Sequence, residues 1–239
     1  MLEVRDRLIV ALDVPSAAQA RQIVQTLGET VTVYKIGKQL FTAEGPGIVR
    51  DLVSSGRKVF LDLKFHDIPN TVAGAVSSAA ELGVSMLTVH ASGGSKMLKA
   101  AVDAAGQSDA KPMVLAVTVL TSLSDSDMQE VGVSGNVLTQ VLRLGALAKS
   151  AGCVGLVASA HEARDLRREL GKGFEIVTPG VRPDGATKGD QARVLTPAEA
   201  IQAGATRLVV GRPITEAANP EDAAQQILAE IEDVASPAA

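Results

Sequence analysis

The chain has 239 residues, of which 46% are hydrophobic, and its formal net charge at pH 7 is −4. This length suits one large domain or two small ones, and the acidic balance argues against a general nucleic-acid binder, which would present a basic face. The single cysteine excludes an intramolecular disulfide and a cysteine-based zinc cluster, and no apolar run approaches the ~20 residues of a membrane span, so we expect a cytoplasmic protein without a membrane partner.

The hydrophobic pattern predicts eight strands, each followed by a helical segment. Aromatic residues make up only 2% of the chain, so its core must be aliphatic, as in a parallel sheet covered by helices. In chain order, strands are predicted at 7–13, 31–37, 58–64, 85–90, 113–118, 153–157, 174–178 and 207–210. Helices are predicted at 15–27, 42–55, 69–82, 94–105, 125–131, 137–151, 160–170, 197–203 and from 219 onward.

Eight strand–helix units predict the α/β class and a single-domain (β/α)8 TIM barrel. The early strands lie about 25 residues apart, which is the size of one such unit. A doubly wound sheet is the alternative, but Asp13-Val14-Pro15 follows the first strand where a dinucleotide-binding fold has a glycine-rich turn. No linker divides the chain, so we expect one domain over 1–239 with a frayed tail at 235–239.

Charged and polar residues recur at the predicted carboxyl ends of the strands, where a barrel places its active site. These ends contribute Asp13, Lys35, Asp62 with Lys64, His90, segment 118–122, Ser159, segment 179–182, and Gly211 with Arg212. Asp62 and Lys64 lie two positions apart, so on a strand both side chains point to one face. Alone this pair is as typical of a structural salt bridge as of a catalytic site, but its recurrence at neighbouring ends favours catalysis.

Two segments near the end of the chain indicate an anion site. Gly211 and Arg212 follow the last strand, where barrel enzymes bind phosphate with backbone amides and a cation. A tight turn with a surface arginine is the alternative, because Gly-Arg-Pro alone is a weak signal. The segment 179–193 is too long for a simple connection and predicts a loop that closes over a ligand.

The sequence predicts no metal site. His66, His90 and His161 have no metal-ligand spacing, and His90 at a strand end is more typical of a hydrogen-bonded structural residue. Asp62 and Asp67 could bind Mg²⁺, but Lys64 between them competes for the same carboxylates. Cys153 lies in an apolar run and is predicted to be a core thiol.

The segment 62–71, Asp-Leu-Lys-Phe-His-Asp-Ile-Pro-Asn-Thr, resembles the orotidine 5′-phosphate decarboxylase family. Shorter matches follow along the whole chain: Leu12-Asp13, Lys35-Ile36-Gly37, Leu120-Thr121-Ser122, Thr178-Pro179-Gly180-Val181-Arg182, Gly189-Asp190-Gln191 and Gly211-Arg212. Each match alone is only suggestive, whereas all of them in this order are specific.

The resemblance implies decarboxylation of orotidine 5′-monophosphate to UMP and CO2, the last step of UMP synthesis, without metal or cofactor. It implies that Lys64 protonates pyrimidine C6 and that Asp62 lies against the leaving carboxylate. An alternating charge network would be completed by Lys35 of the same chain and by Asp67 of the partner subunit. The implied active unit is therefore a homodimer with shared sites.

The resemblance also implies how the substrate is held. Asp13 and Lys35 would bind ribose hydroxyls, together with Thr71 of the partner subunit. The remaining binding residues that it implies are Thr121 and Ser122 near the pyrimidine, Gln191, Gly211 and Arg212 at the phosphate with Arg182 supporting the closed loop, and Pro179.

Two alternatives stay open. Mg²⁺-dependent sugar-phosphate enzymes related to hexulose-phosphate synthase and keto-gulonate-phosphate decarboxylase share an Asp-x-Lys-x-x-Asp strand. Here the segment 68–71 and Gln191 are similar to the nucleotide decarboxylase instead. The other alternative, a non-catalytic nucleotide-binding barrel, would not depend on Lys64.

Overall fold

The chain forms a closed barrel of eight parallel strands. The computed structural model describes residues 2–183 and 195–235. The strands pair in chain order and β8 pairs with β1, which closes the barrel and confirms the predicted fold class. They are β1 (Leu8–Ala11), β2 (Val33–Gly37), β3 (Lys58–Phe65), β4 (Met86–His90), β5 (Met113–Val117), β6 (Gly155–Val157), β7 (Glu175–Pro179) and β8 (Arg207–Val210).

One short helix precedes β1, and the other helices follow the strands. They are α1 (Val4–Arg7), α2 (Ala17–Leu27), α3 (Lys38–Glu44), α4 (Gly47–Ser54), α5 (Pro69–Glu81), α6 (Gly94–Gln107), α7 (Asp125–Glu130), α8 (Val137–Ser150), α9 (Ala160–Leu170), α10 (Pro197–Ala203), α11 (Arg212–Thr215) and α12 (Pro220–Ala235). Short 3₁₀ turns lie at Gly28–Thr30 and Ala91–Gly93. Residues 236–239 of the predicted tail and residues 184–193 of the predicted loop lie outside the described residues.

The predicted helix at 42–55 is wrong, because two helices occupy this region. Helix α3 begins directly after β2 and ends at Glu44, and the next residue, Gly45, adopts a positive φ of 65°. Pro46 then precedes α4 and has no backbone N–H to continue the first helix. The predicted first strand is also too long, since β1 ends at Ala11 and leaves Asp13 in the connection that follows.

Side-chain caps fix where several helices begin. The Ser159 hydroxyl accepts a hydrogen bond at the start of α9, and the Glu162 carboxylate accepts one from the Ser159 N–H at 2.9 Å, which confirms the predicted N-cap. Ser124 and Thr196 start α7 and α10 with the same reciprocal arrangement. Each pair satisfies backbone N–H groups that a helix start leaves without an internal partner.

The core has two layers. The larger lies between strands and helices and is mainly aliphatic, and it includes Cys153, whose burial raises the pKa of the thiol to about 12. The thiol is therefore protonated and buried, as predicted. The smaller layer fills the barrel interior with Ile9, Ala11, Val33, Phe60, Met86, Leu115, Val177 and Val209.

Strand alternation places polar groups directly above the interior layer. Val33, Phe60 and Met86 point inward, so the residues two positions further along the same strands also point inward. Those residues are Lys35, Asp62 and Thr88. The barrel thus directs a set of polar side chains toward its carboxyl end.

Within 2–183 and 195–235, none of the helices has the length and apolar character needed to cross a membrane.

We predict that Gly155→Ala destabilises the barrel. A Cβ atom at position 155 would lie 2.5 Å from Glu175 Cβ and 2.8 Å from Leu115 Cδ2, in the ladder between β5, β6 and β7. Relieving this overlap should lower the free energy of unfolding by about 1–3 kcal/mol, as measured by urea denaturation. Gly106→Ala on α6 is the control, because the methyl group that it adds would meet no neighbouring side chain within 4 Å among the described residues. Equal stabilities of the two variants would contradict this account.

Candidate active site

A cavity of about 610 Å³ opens at the carboxyl end of the barrel. Its size is typical of small-molecule sites. Its walls come from the ends of β1, β2, β3, β5, β6, β7 and β8 and from the segments that follow them. The cavity thus opens at the end of the barrel that the strand-end rule selected from the sequence.

Asp13, Lys35, Asp62 and Lys64 form a charge network of alternating sign in this cavity. Lys35 Nζ donates to Asp13 Oδ1 at 2.8 Å and lies 3.8 Å from Asp62 Oδ2. Lys64 Nζ donates to both carboxylate oxygens of Asp62 at 2.8 Å. The side chains of Lys35 and Asp62, at the centre of the network, are only 10% and 13% exposed, so water screens the attraction between their charges weakly.

The Asp62 carboxylate is ionised in spite of its burial. Burial is the largest single influence on its pKa and raises it, but Lys35, Lys64 and the hydrogen bonds from Lys64 and Thr88 together outweigh burial. The pKa of Asp62 therefore lies below the ordinary value of 3.8. A fixed negative charge at this position is available over the whole physiological pH range.

Gly37 leaves room for the ion pair between Lys35 and Asp13. A Cβ atom at position 37 would lie 3.0 Å from both Lys35 Nζ and Asp13 Oδ1. Any larger residue would press on both ends of this ion pair. The glycine that follows Lys35 by two positions is thus explained by the charge network.

Lys64 reaches Asp62 through an irregular backbone. As predicted from the strand alternation, the side chains of Asp62 and Lys64 both face the cavity. Lys64 itself has a φ of 54°, in the left-handed region, and the pairing of β3 with β4 shifts between Leu61 and Phe65. From this irregular backbone the lysine side chain turns back and its ammonium contacts the Asp62 carboxylate.

The two histidines beside this bulge pack against each other. The ring centroids of His66 and His90 lie 5.4 Å apart with the planes tilted by 39°. The pKa of His90 is lowered by burial and, to a smaller extent, by His66, Lys38 and Lys64, so the imidazole is neutral at pH 7. Among residues 2–183 and 195–235, no group of three or more His, Cys, Asp or Glu side chains is arranged to hold a metal ion.

The cavity includes most of the predicted binding residues. Asp13, Lys35, Thr121, Pro179, Arg182, Gly211 and Arg212 line it. Ser122 is exposed at its edge and is not part of the lining. Gln191 lies outside the described residues.

Asp67 and Thr71 do not face the cavity of their own chain. Both are exposed, and the Asp67 carboxylate accepts a hydrogen bond from the Ile68 N–H at 2.6 Å. Ile68 between them is 66% exposed. The action of Asp67 and Thr71 in a partner subunit stays a prediction.

Sequence reasoning missed three residues near the charge network. Lys38 and Glu216 line the cavity, and Thr88 donates to Asp62 Oδ1 at 3.0 Å. Thr88 lies two positions before His90, so extending the alternation back along β4 would have found it. Lys38 directly follows β2, and Glu216 follows Arg212 by four positions, which places both beside residues that were predicted.

Comparison with known proteins assigns the chain to a family. A family model described as "Orotidine 5'-phosphate decarboxylase / HUMPS family" matches residues 6–227. The chain belongs to this family. The resemblance inferred from the segment 62–71 is therefore confirmed.

Individual members of the family match over nearly their whole length. The orotidine 5′-phosphate decarboxylase of Idiomarina loihiensis is 52% identical over 225 residues, which cover 94% of this chain and 97% of the relative. That of Moorella thermoacetica is 50% identical over 239 residues, covering 98% of this chain and 95% of the relative. The crystal structure of the Lactobacillus acidophilus orotidine 5′-phosphate decarboxylase has 38% identity and a TM-score of 0.84, and the match covers 94% of this chain and 98% of that one.

We predict that Asp62→Asn flattens the acid dependence of stability. Because the pKa of Asp62 is lowered in the folded protein, its ionised form stabilises the fold above the unfolded-state pKa, and this contribution is lost as pH falls through the folded-state pKa. Between about pH 5 and about pH 3, the variant should lose less free energy of unfolding than the parent protein. Urea denaturation at each pH measures both losses, and equal losses would contradict the assignment.

Proposed function

We propose that this protein decarboxylates orotidine 5′-monophosphate to UMP and CO2. The observation that supports the proposal is the network of alternating positive and negative side chains, Asp13–Lys35–Asp62–Lys64, inside a cavity of about 610 Å³. The names of the relatives described above support the same reaction. We further propose that the reaction is the last step of UMP synthesis; location in the cytoplasm stays a prediction.

Lys64 is the proposed proton donor. Cleavage of the bond between C6 and the carboxylate leaves the electron pair on C6 and releases CO2. The ammonium of Lys64 stabilises the developing negative charge and then transfers one proton to C6, which gives UMP and a neutral lysine that water reprotonates. Asp62 holds this ammonium in place through two hydrogen bonds of 2.8 Å.

Asp62 also faces the leaving group. An ionised carboxylate next to the substrate carboxylate repels it, and this repulsion disappears when neutral CO2 forms. Lys35 lies on the other side of Asp62 and keeps its charge compensated. Loss of Lys35 or Lys64 would leave the buried Asp62 carboxylate with one positive charge fewer to compensate it.

The other predicted binding residues divide between the two ends of the nucleotide. Asp13 and Lys35 would hold ribose hydroxyls, and Thr121, Ser122 and Pro179 would lie near the pyrimidine. Gly211, Arg212 and Arg182 line the cavity and would hold the phosphate through backbone and guanidinium groups. Gln191, which lies outside the described residues, would complete the phosphate site. Binding energy at the phosphate would fix the reacting carbon against Lys64, so a substrate without phosphate should lose turnover as well as affinity.

We propose that two copies of the chain share their active sites. Asp67 and Thr71 are exposed and lie outside their own cavity, and Ile68 offers an apolar side chain between them. Contact with a second copy would bury Ile68 and would bring Asp67 of the partner subunit to Lys64. The proposed active unit is a homodimer.

The proposed mechanism uses no metal and no cofactor. Both carboxylate oxygens of Asp62 accept hydrogen bonds from Lys64, and Oδ1 accepts a further one from Thr88. A divalent cation at this position would have to displace the lysine and would be repelled by Lys35. The Mg²⁺-dependent alternative therefore finds no support in the geometry of Asp62.

We predict that purified protein converts orotidine 5′-monophosphate with EDTA present. The loss of substrate is followed by ultraviolet absorbance, and UMP is identified by chromatography. The rate should be unchanged when Mg²⁺ replaces EDTA. Turnover that requires Mg²⁺ would overturn the metal-free mechanism, and no turnover under either condition would overturn the proposed activity.

Lys64→Ala should abolish catalysis while the fold persists. Removing the group that stabilises charge and delivers the proton should lower kcat by at least about 10⁴-fold. Lys99→Ala is the control, because Lys99 is exposed on α6 and far along the chain from the charge network. Circular dichroism checks folding, and a non-catalytic binding barrel predicts equal behaviour of the two variants.

A mixed dimer tests site sharing. Lys64→Ala and Asp67→Ala chains are each expected to be inactive as homodimers. In a heterodimer one site receives an intact Lys64 and an intact Asp67, so mixing should restore up to half of the parent activity per dimer. Absence of recovery in mixtures that contain verified heterodimers would contradict sharing.

A further inference from the structure

Thr88 has a buried hydroxyl that contacts two neighbouring residues of the charge network, Asp62 and Lys64. It lies on β4, points into the barrel and is 0% exposed. Its Oγ1 donates to Asp62 Oδ1 at 3.0 Å and accepts from the Lys64 backbone N–H at 2.9 Å. The hydroxyl therefore uses its one proton on the carboxylate and a lone pair on the amide.

The backbone explains why a side chain is needed here. Leu61 pairs with Leu87, and Phe65 pairs with Val89, so three residues of β3, 62–64, lie opposite the single residue Thr88. A bulge of this kind interrupts the ladder and leaves backbone groups without their strand partner. The Thr88 hydroxyl takes the place of that partner for the Lys64 N–H.

The same contact supports an unfavourable conformation. Lys64 has a φ of 54°, which L-residues with a Cβ atom adopt rarely and only where the surroundings enforce it. This conformation is what turns the lysine side chain back to Asp62, where Nζ makes its two contacts of 2.8 Å. A support for the backbone at Lys64 is thus a support for the position of its ammonium.

We propose that Thr88 is a positioning residue of the decarboxylase site, which holds the Asp62 carboxylate and the bulged Lys64 backbone in the arrangement that aims both side chains at the substrate. This inference rests on the proposed function. Thr88 is not part of the cavity lining, so it acts through Asp62 and Lys64 and leaves substrate contacts to other residues. Its effect should fall on turnover and spare binding.

Thr88→Val tests the inference, because valine keeps the shape and removes the hydroxyl. A small displacement of reacting groups can lower turnover by about 100-fold, and we expect a loss of this order in kcat with orotidine 5′-monophosphate. Affinity for UMP, which lacks the carboxylate that faces Asp62, should change by less than about twofold. Thr88→Ser retains the hydroxyl and should keep kcat within about threefold of the parent protein.

Thr178→Val is the matched control. Thr178 is also 0% exposed on a barrel strand, and its Oγ1 has no hydrogen-bond partner among the described residues. It shares the outward face of β7 with Ile176, so its loss should leave kcat unchanged. The midpoint of thermal unfolding is measured for every variant to separate stability from catalysis.

Two outcomes would overturn the inference. One is Thr88→Val with kcat within about threefold of the parent protein, and the other is Thr88→Ser with a tenfold or larger loss of kcat at unchanged thermal stability. The serine variant keeps the test decisive if the valine variant does not fold. Failure of the proposed function itself is recognised separately, because the parent protein would then show no turnover.

Discussion

The contact between the Lys64 ammonium and the Asp62 carboxylate is the constraint on which the site depends. Both groups lie in a partly closed cavity, where an ion without a partner is strongly unfavourable. Removing one member of a buried ion pair typically costs about 3–5 kcal/mol, and the contacts of Asp62 with Lys35 and Thr88 reduce that cost when Lys64 is the member removed. Lys35 extends this dependence to Asp13 and spreads the charge over four side chains.

The barrel provides this arrangement through its alternation. An apolar layer of inward side chains closes the interior, and the next inward position on β2, β3 and β4 contributes Lys35, Asp62 and Thr88. Three neighbouring parallel strands thus place polar groups beside one another without any long loop. Precision of this kind is expected when reacting groups are held by strands rather than by flexible connections.

Much of this could be predicted from the sequence, for a physical reason. Repetition of strand and helix identified the barrel, and a barrel has only one end at which strand-terminal residues meet. That argument alone brought together Asp13, Lys35, Asp62 and Lys64. The family resemblance added the roles of these residues and the prediction that Asp67 acts in a partner subunit, which the geometry of one chain does not test.

Other features had weaker signals. Thr88 reads as an ordinary β-branched strand residue, and its importance depends on a register shift in the neighbouring strand. The division between α3 and α4 was signalled by Gly45-Pro46, but the apolar periodicity on both sides concealed it. Helices α1 and α11 span four residues each, too few for a periodic pattern to develop.

The positive φ of Lys64 links the backbone of β3 to its ion pair. Glycine adopts such a conformation without the steric penalty of roughly 1–2 kcal/mol that other residues bear. Glycine would nevertheless remove the ammonium that Asp62 binds, so at position 64 the relief of backbone strain and the loss of an ion pair oppose each other. The left-handed backbone is therefore retained together with the charge, and a substitution here changes both at once.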